Sequence, residues 1–63
     1  MNNKIKEYRL KQGLTLEELA NSCNLSIGYI SHLETGTRTN PSLNVLNRIA
    51  QALNINISEL LAN

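Results

Sequence analysis

Leu14-Thr15-Leu16-Glu17-Glu18-Leu19-Ala20-Asn21-Ser22-Cys23-Asn24-Leu25-Ser26-Ile27-Gly28-Tyr29-Ile30-Ser31-His32-Leu33-Glu34-Thr35-Gly36 is the stretch that decides how this chain folds. It reads as two short helices joined by a turn of about three or four residues. Thr15 followed three positions on by Glu18 is a capping box, with Leu14 and Leu19 at the staple positions on either side of it. Ser26 caps the second helix, and Leu25 and Ile30 repeat the staple. Gly36 stands where a helix is commonly ended by a glycine. Between the two helices Asn24 occupies the turn, a residue that tolerates positive φ better than most.

Working outward, residues Asn3 to Gln12 form a first helix. Ile5, Tyr8, Arg9 and Gln12 make its inward stripe, and Gly13 ends it in a left-handed conformation. The second helix runs from about Leu16 to Ser22, with Leu16, Leu19, Ala20 and Cys23 on one face. The third, Ile27 to Thr35, turns Ile30 and Leu33 inward. Its other face shows Gly28, Ser31, His32 and Thr35, short and almost uncharged, where a merely solvated face more often carries Lys and Glu. Thr37 to Asn40 is a polar loop with one cation. Pro41 suits the first turn of a fourth helix capped by Asn40, with Ser42 nearly as good a cap. Leu43, Leu46, Ile49, Ala50 and Leu53 give the clearest amphipathic stripe. A short last helix opens on a capping box of Asn56 and Glu59, flanked by Ile55 and Leu60.

Sixty-three residues make one domain, residues 1–63, without internal repeats, linkers or low-complexity tracts. That size lies near the lower limit for a single unaided core. The lone Cys23 excludes an intrachain disulfide, and no Cys/His group has zinc spacing. Cys23 belongs to the core stripe. The N-terminal stretch is too polar for a signal peptide, and no apolar run approaches the ~20 residues that span a membrane. A soluble, cytoplasmic, all-α protein is expected. The net charge of +1 does not announce a nucleic-acid binder. Lys4, Lys6, Arg9 and Lys11 cluster at the N-terminus, the three lysines more a solvated face than a row of phosphate contacts, and Arg38 stands alone in its loop.

Tyr8-Arg9-Leu10-Lys11-Gln12-Gly13-Leu14-Thr15-Leu16-Glu17-Glu18-Leu19-Ala20 resembles the opening of phage-repressor-like (Xre-type) helix-turn-helix domains. So do Tyr29 to Gly36, Asn40-Pro41-Ser42-Leu43, and Ile49-Ala50-Gln51-Ala52-Leu53-Asn54-Ile55. The resemblance covers nearly the whole chain, in the right order and spacing. It is nearest to the DNA-binding domains of Gram-positive sporulation and biofilm repressors, where the Thr-Asn-Pro-Ser loop also occurs. It implies a five-helix, lambda-repressor-like fold with the helix-turn-helix at about residues 15–35. It also implies a homodimer on a palindromic double-stranded operator, with the helix from Ser26 in the major groove.

By the same resemblance Ile27, Gly28, Ser31 and His32 read bases. Thr15, Leu16, Ser26, Tyr29, Thr35, Arg38, Thr39, Asn40 and Ser42 lie along the DNA backbone, and Arg9 pairs with Glu34. Taken alone, Arg9 and Glu34 read as ordinary surface charges, His32 as a surface residue, and Tyr29 equally as core filler. Three positions depart from the family, one of them Asn24, where the turn residue is commonly Gly and the exchange should cost little. Leu16 stands where many relatives carry a phosphate-binding Gln, which leaves only a helix N-terminal N–H for that contact. Gly28 is a poorer base reader than the polar residues usual there. Readout then rests on Ile27 against a thymine methyl, on His32, and on DNA shape.

Duplex DNA binding for transcriptional control, most plausibly repression, is therefore the leading expectation. A protein-interaction module of antitoxin or anti-repressor type is the alternative, favoured by the low charge and by Leu16. No paired acid and base, activated nucleophile, metal cluster or phosphate loop points to an enzyme, a cofactor or a small-molecule site.

Overall fold

Three connections between helices use one three-residue device: a left-handed residue, an aliphatic residue, then a polar one. They are Gly13-Leu14-Thr15, Asn24-Leu25-Ser26 and Asn54-Ile55-Asn56. The first residues have φ of 70°, 58° and 58°. In each, the aliphatic residue's N–H reaches back five residues, from Leu14 to Arg9 O (3.1 Å), Leu25 to Ala20 O (2.9 Å) and Ile55 to Ala50 O (3.0 Å). The left-handed residue's N–H bonds three back, to Leu10, Asn21 and Gln51. This is the Schellman ending, in which the aliphatic residue folds onto the helix it has just left. Leu14, Leu25 and Ile55 all pack against the core. One side chain thus closes a helix and fixes the entry of the next.

The computed structural model describes residues 4–37 and 41–61. Its elements are α1 (Ile5–Lys11), α2 (Leu16–Cys23), α3 (Ile27–Thr35), α4 (Leu43–Ala52) and α5 (Ile57–Leu61), and all regular structure among the described residues is helical. The five helices enclose a core of Ile5, Leu19, Ala20, Cys23, Ile30, Leu33, Leu46, Ile49, Ala50, Leu53 and Leu60. α2 packs on both α3 and α4, α1 touches α3, and α4 touches α5. Lys4 N–H donates to Leu60 O at 3.0 Å, tying the start of α1 to α5. The Gln12 amide donates to Leu53 O, joining α1 to the end of α4.

Several boundaries differ from expectation. Lys4 has non-helical dihedrals, so α1 begins at Ile5; the expected start, Asn3, lies outside the described residues. α2 continues one residue further, to Cys23. Ser42, not Asn40, caps α4: its ψ of 159° is extended and its hydroxyl accepts from Val45 N at 3.2 Å, which leaves Pro41 ahead of the helix. Leu43 is 66% exposed and does not belong to the buried stripe. At 3.6 residues per turn it shares the face of Ala50, but it is the first residue of α4, at the end of the stripe. Leu16 is only half-buried. Asn56 closes α5 through its carbonyl, which accepts from Glu59 and Leu60 N–H, and the reciprocal side-chain box with Glu59 does not form.

Candidate nucleic-acid interface

α3 is held by its ends and by one face. At its start the Ser26 hydroxyl accepts from Tyr29 N at 3.1 Å; at its end Gly36 turns left-handed at φ 82° and donates to Leu33 O. Ile30 and Leu33 are fully buried, and the half-buried Tyr29 ring packs against the core. On the remaining surface Ile27 is 44% exposed, Gly28, His32 and Thr35 are exposed, and Ser31 is half-covered. No Lys, Arg, Asn or Gln stands among the residues from Ile27 to Glu34. The free surface of α3 therefore offers one aliphatic side chain, one bare backbone position, hydroxyls and one imidazole. The Thr35 hydroxyl is partly engaged, donating to His32 O at 3.3 Å and meeting the Thr37 hydroxyl at 3.0 Å.

The end of α3 is fastened to α1. Arg9 Nε donates to Glu34 Oε2 at 2.7 Å and Nη2 to Oε1 at 3.2 Å, a two-pronged pair whose side chains are only 11% and 6% exposed. The third arm, Nη1, donates to Leu14 O at 2.9 Å. Arg9 thereby joins α1, the approach to α2, and the last turn of α3. The Glu34 hydrogen bond raises the Arg9 pKa further above its already high value, outweighing the opposing effect of burial.

Thr15, Ser26 and Ser42 each cap a helix with the hydroxyl on the third N–H, at Glu18, Tyr29 and Val45. The first intrahelical bonds come one residue later, at Leu19, Ile30 and Leu46. The two N–H groups before each cap bond point out of the helix end: Leu16 and Glu17, Ile27 and Gly28, Leu43 and Asn44. Such ends attract anions through N–H donors and the helix dipole together. At α2 the arrangement is complete on both sides, since Glu18 Oε1 also accepts from Thr15 N at 2.8 Å. Those bonds hold the Glu18 carboxyl below its usual range.

Among the described residues, both arginines are turned inward. Arg9 and Arg48 are committed to bonds within the fold, and Lys11 sits 3.6 Å from Glu7 and over the Tyr8 ring. Arg38, Thr39 and Asn40 lie outside the described residues. Arg48 was not anticipated from the sequence. It reaches from α4 to the end of α2, Nε donating to Cys23 O at 3.0 Å and Nη2 to Asn24 O at 2.9 Å. The available signal was the absence of any basic residue in the last turn of α2, where a cation is normally favoured. Burial pushes the neighbouring Cys23 thiol pKa up, with Arg48 partly opposing it.

A family model described as Helix-turn-helix matches residues 5–60, which takes in α1 to α4 and all but the last residue of α5. The chain belongs to the helix-turn-helix family, of Xre type. Among its relatives, the HTH-type transcriptional regulator SinR of Bacillus subtilis is 34% identical over 58 residues, covering 92% of this chain and 52% of SinR. The HTH-type transcriptional regulator DdrOP3 of Deinococcus deserti is 40% identical over 58 residues, covering 92% of this chain and 44% of that protein. The chain thus spans about half the length of these curated relatives. Among solved structures, the crystal structure of SinR, the master regulator for biofilm formation, in complex with DNA superposes with a TM-score of 0.89 at 34% identity. That match covers 94% of each chain. This helix-turn-helix chain therefore shares the all-α, five-helix fold of a DNA-bound relative, as its motifs implied. No helix among the described residues is long and apolar enough to cross a membrane.

Proposed function

We propose that this chain is a sequence-specific duplex-DNA-binding module of a cytoplasmic transcriptional repressor, acting without catalysis as a homodimer on a palindromic operator. The observation that carries the reading is the free face of α3. It is exposed, rigidly mounted at both ends and nearly uncharged, and it belongs to a fold whose relative SinR was solved on DNA. Placed in the major groove, α3 presents Ile27 to a thymine methyl and His32 to a base edge. Gly28 lets the backbone approach closely, and Ser31 supports from the flank. The N-termini of α2, α3 and α4, at Thr15-Leu16, Ser26 and Ser42, take phosphates, and Tyr29, Thr35, Arg38, Thr39 and Asn40 are the further backbone contacts that the family resemblance implies. A second protomer places its α3 one helical turn away, ~34 Å along the duplex.

The test is selection of binding sites from a pool of random duplexes at low and moderate salt. Enrichment of a two-fold-related sequence whose affinity falls with salt is expected. His32→Ala then changes the preferred base at one position of each half-site, while Arg38→Ala weakens all duplexes alike. Uniform weakening by both variants would show that the roles are misassigned. No enrichment at either salt would instead favour the protein-binding alternative, for which Leu10, Ile27, Leu43 and Leu61 are the exposed large apolar side chains among the described residues.

A further inference from the structure

The turn between α2 and α3 is fastened from outside the motif. A Schellman ending satisfies the carbonyls of Ala20 and Asn21, but it leaves those of Cys23 and Asn24 without intrahelical donors. Both are taken by the single guanidinium of Arg48, from a residue more than twenty positions away on α4. The contact is returned, since Cys23 Sγ lies 3.8 Å from Arg48 O. A planar, charged fork suits two carbonyls held at a fixed separation, and a lysine ammonium matches that geometry poorly. α2 has no cation of its own in the last turn, so Arg48 also supplies the positive charge that this helix end favours. Two residues beyond Asn24 stands Ser26, the cap of α3, followed by Ile27 and Gly28.

We infer that Arg48 is a positioning residue for DNA readout: by clamping the Cys23 and Asn24 carbonyls it sets how the N-terminus of α3 leaves the turn. It touches no base itself. The inference rests on the DNA-binding reading above, and it locates part of the sequence preference on a helix outside the helix-turn-helix.

Arg48→Met removes the donors while keeping an unbranched apolar stem, and Arg48→Lys keeps charge without the fork. Ile49→Val is the control, a trimming of the buried core that lowers stability while keeping the Arg48 guanidinium. All are compared with the parent on its selected duplex and on single-substituted duplexes, at a temperature where every protein is folded. Arg48→Met is expected to reduce discrimination at the base pairs facing Ile27 and Gly28 by about tenfold, the scale of one mismatched pair. Binding to unrelated duplex should stay unchanged. Arg48→Lys should be intermediate, and Ile49→Val should keep full discrimination.

Amide exchange at Leu25, Tyr29 and Ile30 in the free protein, whose N–H groups bond to Ala20 O, Ser26 Oγ and Ser26 O, gives a second readout that needs no DNA. Faster exchange in Arg48→Met and Arg48→Lys, beyond that in Ile49→Val, is expected. Unchanged exchange and unchanged discrimination in either Arg48 variant would overturn the assignment. If the parent selects no sequence, the DNA reading fails, whereas the clamp on the turn is still decided by the exchange rates.

Discussion

Arg9 shows how much one side chain does in so small a fold. Its guanidinium ends on two oxygens of Glu34 and on the Leu14 carbonyl, so removing Glu34 strands a mostly covered charge that keeps only one bond. Loss of one partner from a buried pair costs about 3–5 kcal/mol, while exposed pairs are worth under about 1 kcal/mol. The few per cent of remaining exposure places this pair between those limits, at roughly 2 kcal/mol. Glu34→Ala should therefore lower the melting temperature by about 10 °C, far more than Glu59→Ala at an exposed position. Equal shifts in thermal melts would refute the structural role of the pair.

Glu18 carries a pH signature of its own. Its carboxylate accepts the Thr15 N–H while its N–H is capped by the Thr15 hydroxyl, and its folded pKa is depressed. A depressed carboxyl stabilises the folded state at pH above its unfolded value and loses that contribution as pH falls through the folded one. The melting difference between the parent and Glu18→Gln should thus be present at neutral pH and vanish in strongly acidic buffer. A difference that stays constant across the titration would contradict the box as the source.

The triplets that end α1, α2 and α4 are where local chemistry specifies the elements most tightly. Asn24 and Asn54 adopt φ of 58°, a region costing an ordinary L-residue roughly 1–2 kcal/mol. Asn24→Ala should lower stability by about 1 kcal/mol in denaturant unfolding, whereas Asn24→Gly should be close to neutral. If glycine costs as much as alanine, the backbone conformation is not what Asn24 supplies.

These triplets also explain which boundaries could be read in advance. Where a cap and a staple agree, as at Thr15 and Ser26, observed and expected helix starts coincide, and Asn24 occupies the turn as expected although α2 runs one residue further towards it. Near Pro41 two caps competed, and the sequence alone offered no means of choosing; the extended ψ of Ser42 decided it. Asn56 and Glu59 have box spacing, yet α5 is a single five-residue turn closed through the backbone. Periodicity places Leu43 with the buried stripe, although it stands in the first turn, at the end of that stripe, and is exposed.

For the molecule as a whole, the core followed from spacing, because burying aliphatic side chains at helical intervals is a local rule repeated along the chain. The Arg48 clamp did not follow. It depends on α4 lying beside the end of α2, and nothing in the sequence near Arg48 records that neighbour. The interface is similarly divided. The caps and the outward face of α3 were visible as residue types, while the commitment of Arg9 and Arg48 to internal bonds appears only once the helices are assembled. That commitment withdraws two of the chain's six Lys and Arg from phosphate, so N–H groups at helix ends carry a larger share of the proposed contact.

Amide chemical-shift mapping of the labelled protein, titrated with its selected duplex, bears on this most directly. The largest perturbations should fall at Ile27, Gly28, Ser31 and His32. Leu16, Glu17, Leu43 and Asn44 at the other two helix N-termini should follow, while Leu10 and Leu61 stay near their free positions. Perturbations centred on Leu10 and Leu61, with α3 unmoved, would contradict the account.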